Sequence, residues 1–250
     1  MPAHFTGKNF ILLDRVSSTN SYVQELLSKS TPLEEGSVIM AVEQVAGRGQ
    51  MGNFWEAEAG KNLTFSILYK PDSLAIEDQF YLSMAVSLGI CDFLEKQLSH
   101  DIMIKWPNDI YYNHHKIAGI LIENSLQGDK IKNSVIGIGL NVNQLHFESD
   151  APHPISMKQI SEKDYELEEI LFNLLSFIEY YYLALKSSKT EYLKERYFAR
   201  LLFYGQVREY KTTQGIIRAK ITGLGPYGKL CLENELGINY YDIKEVEFIL

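Results

Sequence analysis

Lys105-Trp106-Pro107-Asn108-Asp109, followed after a short turn by Lys116-Ile117-Ala118-Gly119, is the stretch on which the reading of this chain depends. Ile102 to Trp106 is a strand-like run that Pro107 breaks, because proline brings no N–H to a ladder. Asn113 and His114 mark a turn, and Lys116 to Leu126 is again apolar and β-branched, so one strand ends where the other begins. Two lysines, an amide and a carboxylate thus emerge together at strand ends. The cations suit a carboxylate and a polyphosphate. Asp109 suits either a magnesium site or acceptance of a proton from an amine. The plain alternative is a strand terminus with solvated charges. His114 and His115 are adjacent in the turn and read as exposed polar residues, not metal ligands.

Upstream, Ser17, Ser18 and Thr19 precede Tyr22, Val23, Leu26 and Leu27, the pattern of a capped amphipathic helix running to about Lys29. Ser37 to Gln44 and the alternating Leu63, Phe65, Ile67 and Tyr69 read as strands flanking a loop from Val45 to Lys61. Within it, Gly47-Arg48-Gly49-Gln50-Met51-Gly52 matches G-x-G-x-x-G in letters only. A dinucleotide site needs a helix to open at once, and here Asn53-Phe54-Trp55, Gly60 and another strand follow. An arginine among glycines points instead to backbone closing over an anion, with a solvated hairpin as the plain alternative.

Downstream, Glu77 to Leu98 has apolar residues at helical spacing. Val135 to Val142 reads as a buried strand in which Gly137-Ile138-Gly139-Leu140-Asn141 signals either close approach of a ligand or a β-bulge. Gln144 to Asp164 shows no period and reads as a long surface loop; Leu171 to Leu185, with the Tyr180 to Tyr182 run as packing, and Thr190 to Leu202 read as helices. After about Tyr204, repeated glycines punctuate short alternating runs, the pattern of a small antiparallel barrel. The expected division is a domain of residues 1–203 and another of 204–250.

Composition narrows the function classes. With 46% hydrophobic residues the chain can bury a large core, and a formal charge of −8 requires any anionic ligand to be held by a few placed cations. Nucleic acid is a poor partner on that balance; from Gly205 to Leu250 basic and acidic residues cancel, leaving no basic footprint. Cys91 and Cys231 offer neither a disulfide framework nor metal spacing and read as small buried residues. Met1 to Val16 lacks the apolar core of a secretion signal and no run approaches membrane-spanning length, so a cytoplasmic protein is expected.

Taken in order, these segments resemble the biotin protein ligase family: Ser18-Thr19-Asn20; Glu43-Gln44 before Ala46-Gly47-Arg48-Gly49; Trp55; Lys105 to Asp109; Lys116 to Glu123; and Gly137 to Asn141. The resemblance implies an α+β catalytic domain related to class II aminoacyl-tRNA synthetases, with a C-terminal SH3-like barrel. It further implies biotin and ATP as substrates, Mg²⁺ as cofactor, and a biotin carboxyl carrier domain of a carboxylase as partner. Carried over by position, Ser18, Thr19, Asn20, Gln44, Gly47, Arg48, Lys116 and Gly119 fall on the biotin side, and Gly49, Gln50, Trp55, Asn108 and Asn141 on the nucleotide side. Arg48, Lys105, Asp109 and Lys116 are the expected catalytic residues, with Asp109 also the candidate metal ligand. The loop from Val45 to Lys61 is the expected lid.

Two departures stand out. Many members carry further arginines where this chain has Gln50 and Met51, which implies looser retention of an adenylate; and Ser18 lies too near the start to leave room for the DNA-binding module of ligases that double as repressors. A lipoate ligase of related fold is the nearest rival, and a non-catalytic binding module the next.

Overall fold

The computed structural model describes residues 3–98, 102–148 and 153–249, apart from the side chain of Met51. The chain runs β1 (Phe10–Val16), α1 (Thr19–Ser28), β2 (Val38–Gln44), β3 (Leu63–Tyr69), α2 (Phe80–Leu98), β4 (Ile102–Lys105), β5 (Asp109–Tyr112), β6 (His115–Gln127) and β7 (Lys130–Leu140). There follow α3 (Met157–Ser161), α4 (Leu167–Lys186), α5 (Thr190–Arg200), β8 (Val207–Thr212), β9 (Gly215–Leu224), β10 (Leu230–Asn234), β11 (Gly237–Tyr241) and β12 (Val246–Phe248).

Seven strands form one sheet in the order β1-β2-β3-β7-β6-β5-β4, parallel between β1 and β2 and antiparallel elsewhere. β3 lies near the middle and all seven of its residues are buried, which accounts for its near-continuous apolar character. Helices α2 and α4 pack together, and the principal core runs between them and the sheet through residues such as Phe65, Leu88, Phe93, Leu174 and Ile178. Gly89 permits that closeness, because a Cβ there would lie 2.7 Å from the Ile178 backbone. On the other side α1 covers a smaller cluster of Val23, Ile39, Leu68 and Val135.

Strands β8 to β12 form a second, five-stranded antiparallel sheet in the order β11-β10-β9-β8-β12. It is joined to the larger sheet at the stretch quoted first: Trp106 Nε1–H donates to the Gly228 carbonyl at 2.9 Å. Phe80, at the start of α2, fills the space beside Gly228, where a Cβ would meet its ring at 2.2 Å.

One element was not anticipated and two expectations are corrected. The N-terminal stretch contains β1, an edge strand whose half-exposed residues alternate too weakly to give a strand signal. The long helix begins at Phe80, since Ile76–Asp78 forms a separate 3-10 turn. The segment from Gln144 to Asp164 contains α3, whose start is fixed by a capping box between Ser156 and Gln159; residues 149–152 lie outside the described residues. Both cysteines are free and buried, as read, and Tyr181 and Tyr182 pack inward while Tyr180 is exposed.

Candidate functional site

A cavity of about 170 Å³ opens on the face of the large sheet that carries α1, between the glycine-rich loop and the strands β3, β6 and β7. Strand pleating explains why this surface is open: Gly119 of β6 and Gly137 and Gly139 of β7 replace side chains that would otherwise fill it. The ladders on both sides of β7 run in unbroken register through Gly137 to Leu140, so the glycines mark no bulge. They mark close approach by other side chains. A Cβ on Gly139 would lie 2.2 Å from the Trp55 ring, one on Gly119 2.9 Å from the same ring, and one on Gly137 2.6 Å from Asn20 Oδ1. Trp55 therefore lies flat on the strands, with its indole N–H buried and without a partner among the described residues.

At one end the N-terminus of α1 supplies polar groups. Ser18 precedes the helix in extended conformation but makes no capping bond through its side chain, so its buried hydroxyl is not consumed as the sequence pattern suggested. Thr19 gives both its backbone N–H and its hydroxyl toward Gln44 Oε1, at 2.7 and 3.1 Å. A backbone N–H can only donate, so it fixes the Gln44 amide: oxygen toward the helix, NH₂ free to face a ligand. Asn20 is likewise fixed, with Nδ2 donating to the Leu121 carbonyl and Glu123 and Oδ1 accepting from Ser66. Its amide is spent on the protein, and it shapes the wall of the cavity.

The charges line the cavity at two places, Lys116 beside Asp109 and Arg48 beside the start of α1. Lys116 Nζ pairs with Asp109 Oδ1 at 2.6 Å, and both side chains are about four-fifths buried. Arg48 Nη2 pairs with Glu123 at 2.7 Å while its side chain remains half-exposed. The loop carrying Arg48 is shaped by a bridge between Arg48 and Phe54, with a single 3-10 turn, Gln50–Gly52, and no longer helix between them. The dinucleotide reading is thereby excluded on geometry as well as on sequence. Lys116 also lies 5.5 Å from the Trp55 ring centroid. Asn108 is buried and donates to the Ile120 carbonyl.

Most of the residues singled out in the sequence therefore share one cavity: Ser18, Thr19, Asn20 and Gln44 at one end; Arg48, Gly49, Gln50 and Trp55 from the loop; Asn108, Asp109, Lys116 and Gly119 from the strand ends. Three stand elsewhere. Gly47 backs the cavity, its carbonyl accepting from the Trp55 backbone N–H. Asn141 is buried beneath the floor, donating to the Ile155 carbonyl, with its own Oδ1 unpartnered among the described residues. Lys105 is not among the lining residues: its ammonium lies 5.5 and 5.6 Å from the Tyr111 and Phe248 ring centroids, against the smaller sheet. Burial there pushes its pKa below the ordinary lysine value, with Asp109 opposing the shift.

Sequence reasoning missed Ser66, whose buried hydroxyl lies 2.7 Å from both Thr19 Oγ1 and Asn20 Oδ1. The available signal was a polar residue in the most apolar strand of the chain. No group of three or more His, Cys, Asp or Glu is placed to hold a metal among the described residues, and no helix among them is long and apolar enough to cross a membrane.

Comparison with known proteins agrees with this geometry. The model of the Biotin/lipoate A/B protein ligase family matches residues 12–141, which carry every cavity residue named above. The chain is 28% identical to the bifunctional ligase/repressor BirA of Bacillus spizizenii, across 96% of this chain and 74% of that one. It is equally identical to the biotin--[acetyl-CoA-carboxylase] ligase of Paracoccus denitrificans, across 95% of this chain and 99% of its relative. Among solved structures, the biotin protein ligase of Aquifex aeolicus in complex with biotin and ATP superposes with a TM-score of 0.80 at 28% identity, covering 97% of this chain and 99% of the other. The chain belongs to the biotin/lipoate A/B protein ligase family, and within it to the biotin protein ligases.

Proposed function

We propose that this protein joins biotin to AMP at the expense of ATP and then transfers the biotinyl group to a lysine of a biotin carboxyl carrier domain in the cytoplasm. The observation that carries the reading is that Arg48 and Lys116, distant in sequence, line the same cavity as Ser18, Thr19 and Gln44. The polar groups suit a ureido ring, and the cations suit a carboxylate meeting a triphosphate. Lipoate has no ureido group for the free Ser18 hydroxyl and Gln44 amide, and a buried polar group left unpaired costs about 1–3 kcal/mol.

In the first step a biotin carboxylate oxygen attacks the α-phosphorus, the P–O bond to pyrophosphate breaks, and a mixed anhydride forms. Arg48 and Lys116 offset the negative charge that gathers there. Each is already paired with a carboxylate, so the ligand's anions exchange with, or share, the pairs Arg48–Glu123 and Lys116–Asp109. As Lys116 turns to the phosphate, Asp109 becomes available to accept a proton. In the second step a carrier lysine attacks the acyl carbon, the C–O bond to AMP breaks, and Asp109 takes the proton from the amine. Trp55 and the glycine-rich loop shield the anhydride from water.

Mg²⁺ fits this donor set only as an ion carried on the nucleotide phosphates, because Asp109 is the single carboxylate lining the cavity among the described residues. It would add charge neutralisation at the phosphates. The test is incubation with biotin, Mg-ATP and a carrier domain, followed by mass analysis. A gain of one biotinyl group on the carrier lysine is expected. No modification, together with tight binding of lipoate in place of biotin, would overturn the proposal.

A further inference from the structure

Glu123 enters the mechanism above only as the resting partner of Arg48, yet two residues of the cavity converge on it. Its side chain, on β6, is about three-quarters buried. One oxygen accepts from Arg48 Nη2 at 2.7 Å and the other from Asn20 Nδ2 at 2.9 Å. Arg48 Nη1 lies 3.2 Å from Ser21 Oγ on the same turn of α1. One carboxylate thus ties together the start of α1, the glycine-rich loop and the strand beneath them. Glu123 is not among the residues that line the cavity, whereas both of its partners are.

We infer that Glu123 is a positioning residue for the ligase reaction: it holds the Arg48 guanidinium over the cavity mouth and seats Asn20 against Gly137 before the acid binds. This rests on the biotin ligase reading. Arg48 springs from a loop and its side chain is half-exposed, so on its own it would lose rotamer freedom on meeting an anion. Fixing it beforehand lowers the cost of ordering at the moment of binding. An exposed arginine–carboxylate pair ordinarily contributes little to stability. The distinguishing feature is the second bond: the same carboxylate grips Asn20, whose Oδ1 accepts from Ser66, and Ser66 in turn contacts Thr19. A continuous set of polar contacts from Gln44 through Thr19, Ser66 and Asn20 therefore ends on Glu123 and Arg48.

The test is a double-mutant cycle. Biotin affinity is measured calorimetrically for wild type, Glu123→Gln, Glu123→Asp, Arg48→Ala and the pair Glu123→Gln/Arg48→Ala, with biotin-dependent pyrophosphate release measured for wild type. Glu123→Gln is expected to weaken biotin binding on the order of tenfold, Glu123→Asp to recover part of the loss, and Glu123→Gln to add little once Arg48 is alanine. If Glu123→Gln does not fold, Glu123→Asp against Arg48→Ala and their pair supply the cycle. Wild-type affinity in the Glu123 variants, or losses that simply add, would overturn the assignment while leaving the ligase reading intact. A wild type that neither binds biotin nor releases pyrophosphate would overturn both.

Discussion

Gly139→Ala is a test in which local backbone preference and cavity geometry pull in opposite directions. Gly139 sits mid-strand in β7, paired with Thr64 on one side and Gly119 on the other, so alanine fits its extended backbone without strain. By chain entropy alone the change should stabilise by about 0.4–1 kcal/mol. The new Cβ, however, would lie 2.2 Å from Trp55 Cε2 and 2.4 Å from Nε1. Ordinary contact begins at 3.4 Å, so the ring must retreat by at least 1.2 Å, the difference between the two distances. The Trp55 backbone N–H bond to the Gly47 carbonyl anchors the main chain there, so the ring tips away from the sheet. Overpacking of this kind costs about 1–3 kcal/mol, but here it falls on a loop and not on the core, so global stability should change by less than about 1 kcal/mol. Trp106, the chain's other tryptophan, is 3% exposed and bonded to Gly228, and gives a constant background to intrinsic fluorescence. The Trp55 emission should move to longer wavelength, and KM for ATP should rise on the order of tenfold, equivalent to about 1.4 kcal/mol. An unchanged emission maximum with an unchanged KM would refute both the packing and the assignment of Trp55 to the nucleotide side.

Arg48→Ala should lower adenylate formation on the order of 10²-fold in pyrophosphate-release assays; unchanged turnover would reduce the side chain to a surface group. Gln50→Arg, which puts a cation on the cavity-lining loop, should slow release of a preformed adenylate in a filter-binding chase, and equal rates would remove the idea that Gln50 loosens retention. Glu179 is 2% exposed and accepts the backbone N–H groups of His4, Phe5 and Thr6, which hold its pKa below the ordinary glutamate value against its burial. Its contribution is therefore complete above the unfolded glutamate pKa of about 4.3 and is lost as pH falls through the lower folded value. Urea unfolding of Glu179→Gln between about pH 5 and 3 should show a flatter dependence than wild type, and parallel curves would count against it. Trp106→Phe removes the indole bond between the two sheets and should cost about 1 kcal/mol in thermal unfolding, with earlier proteolysis between residues 203 and 207.

What was legible in the sequence follows from where information is local. The ends of β4, β5 and β6 were readable because Pro107, Asn113 and His114 punctuate apolar runs, and those ends place Asn108, Asp109 and Lys116 on the cavity. Gly137 and Gly139 were readable as close approaches, but not what approached: the ring of Trp55, which meets Gly139, arrives from a loop separated from β7 by α2, and no period or spacing encodes that meeting. Lys105 shows the converse limit. In sequence it is one more cation beside Asp109, and its neighbour across the ladder is Asp109 itself. Its ammonium nevertheless lies against Phe248, which enters from the far end of the chain. A residue's type and strand position fixed its backbone address, while the direction of its charge was decided by a partner some 140 residues away, read from the positions of Lys105 and Phe248. The same holds for Ser18. Its place before α1 announces a cap, and only the tertiary arrangement of Gln44 against Thr19 leaves its hydroxyl unspent and turned to the cavity. Local rules therefore placed the backbone that carries the chemistry, and the side chains free to act on a ligand were selected by which bonds the distant neighbours had already taken.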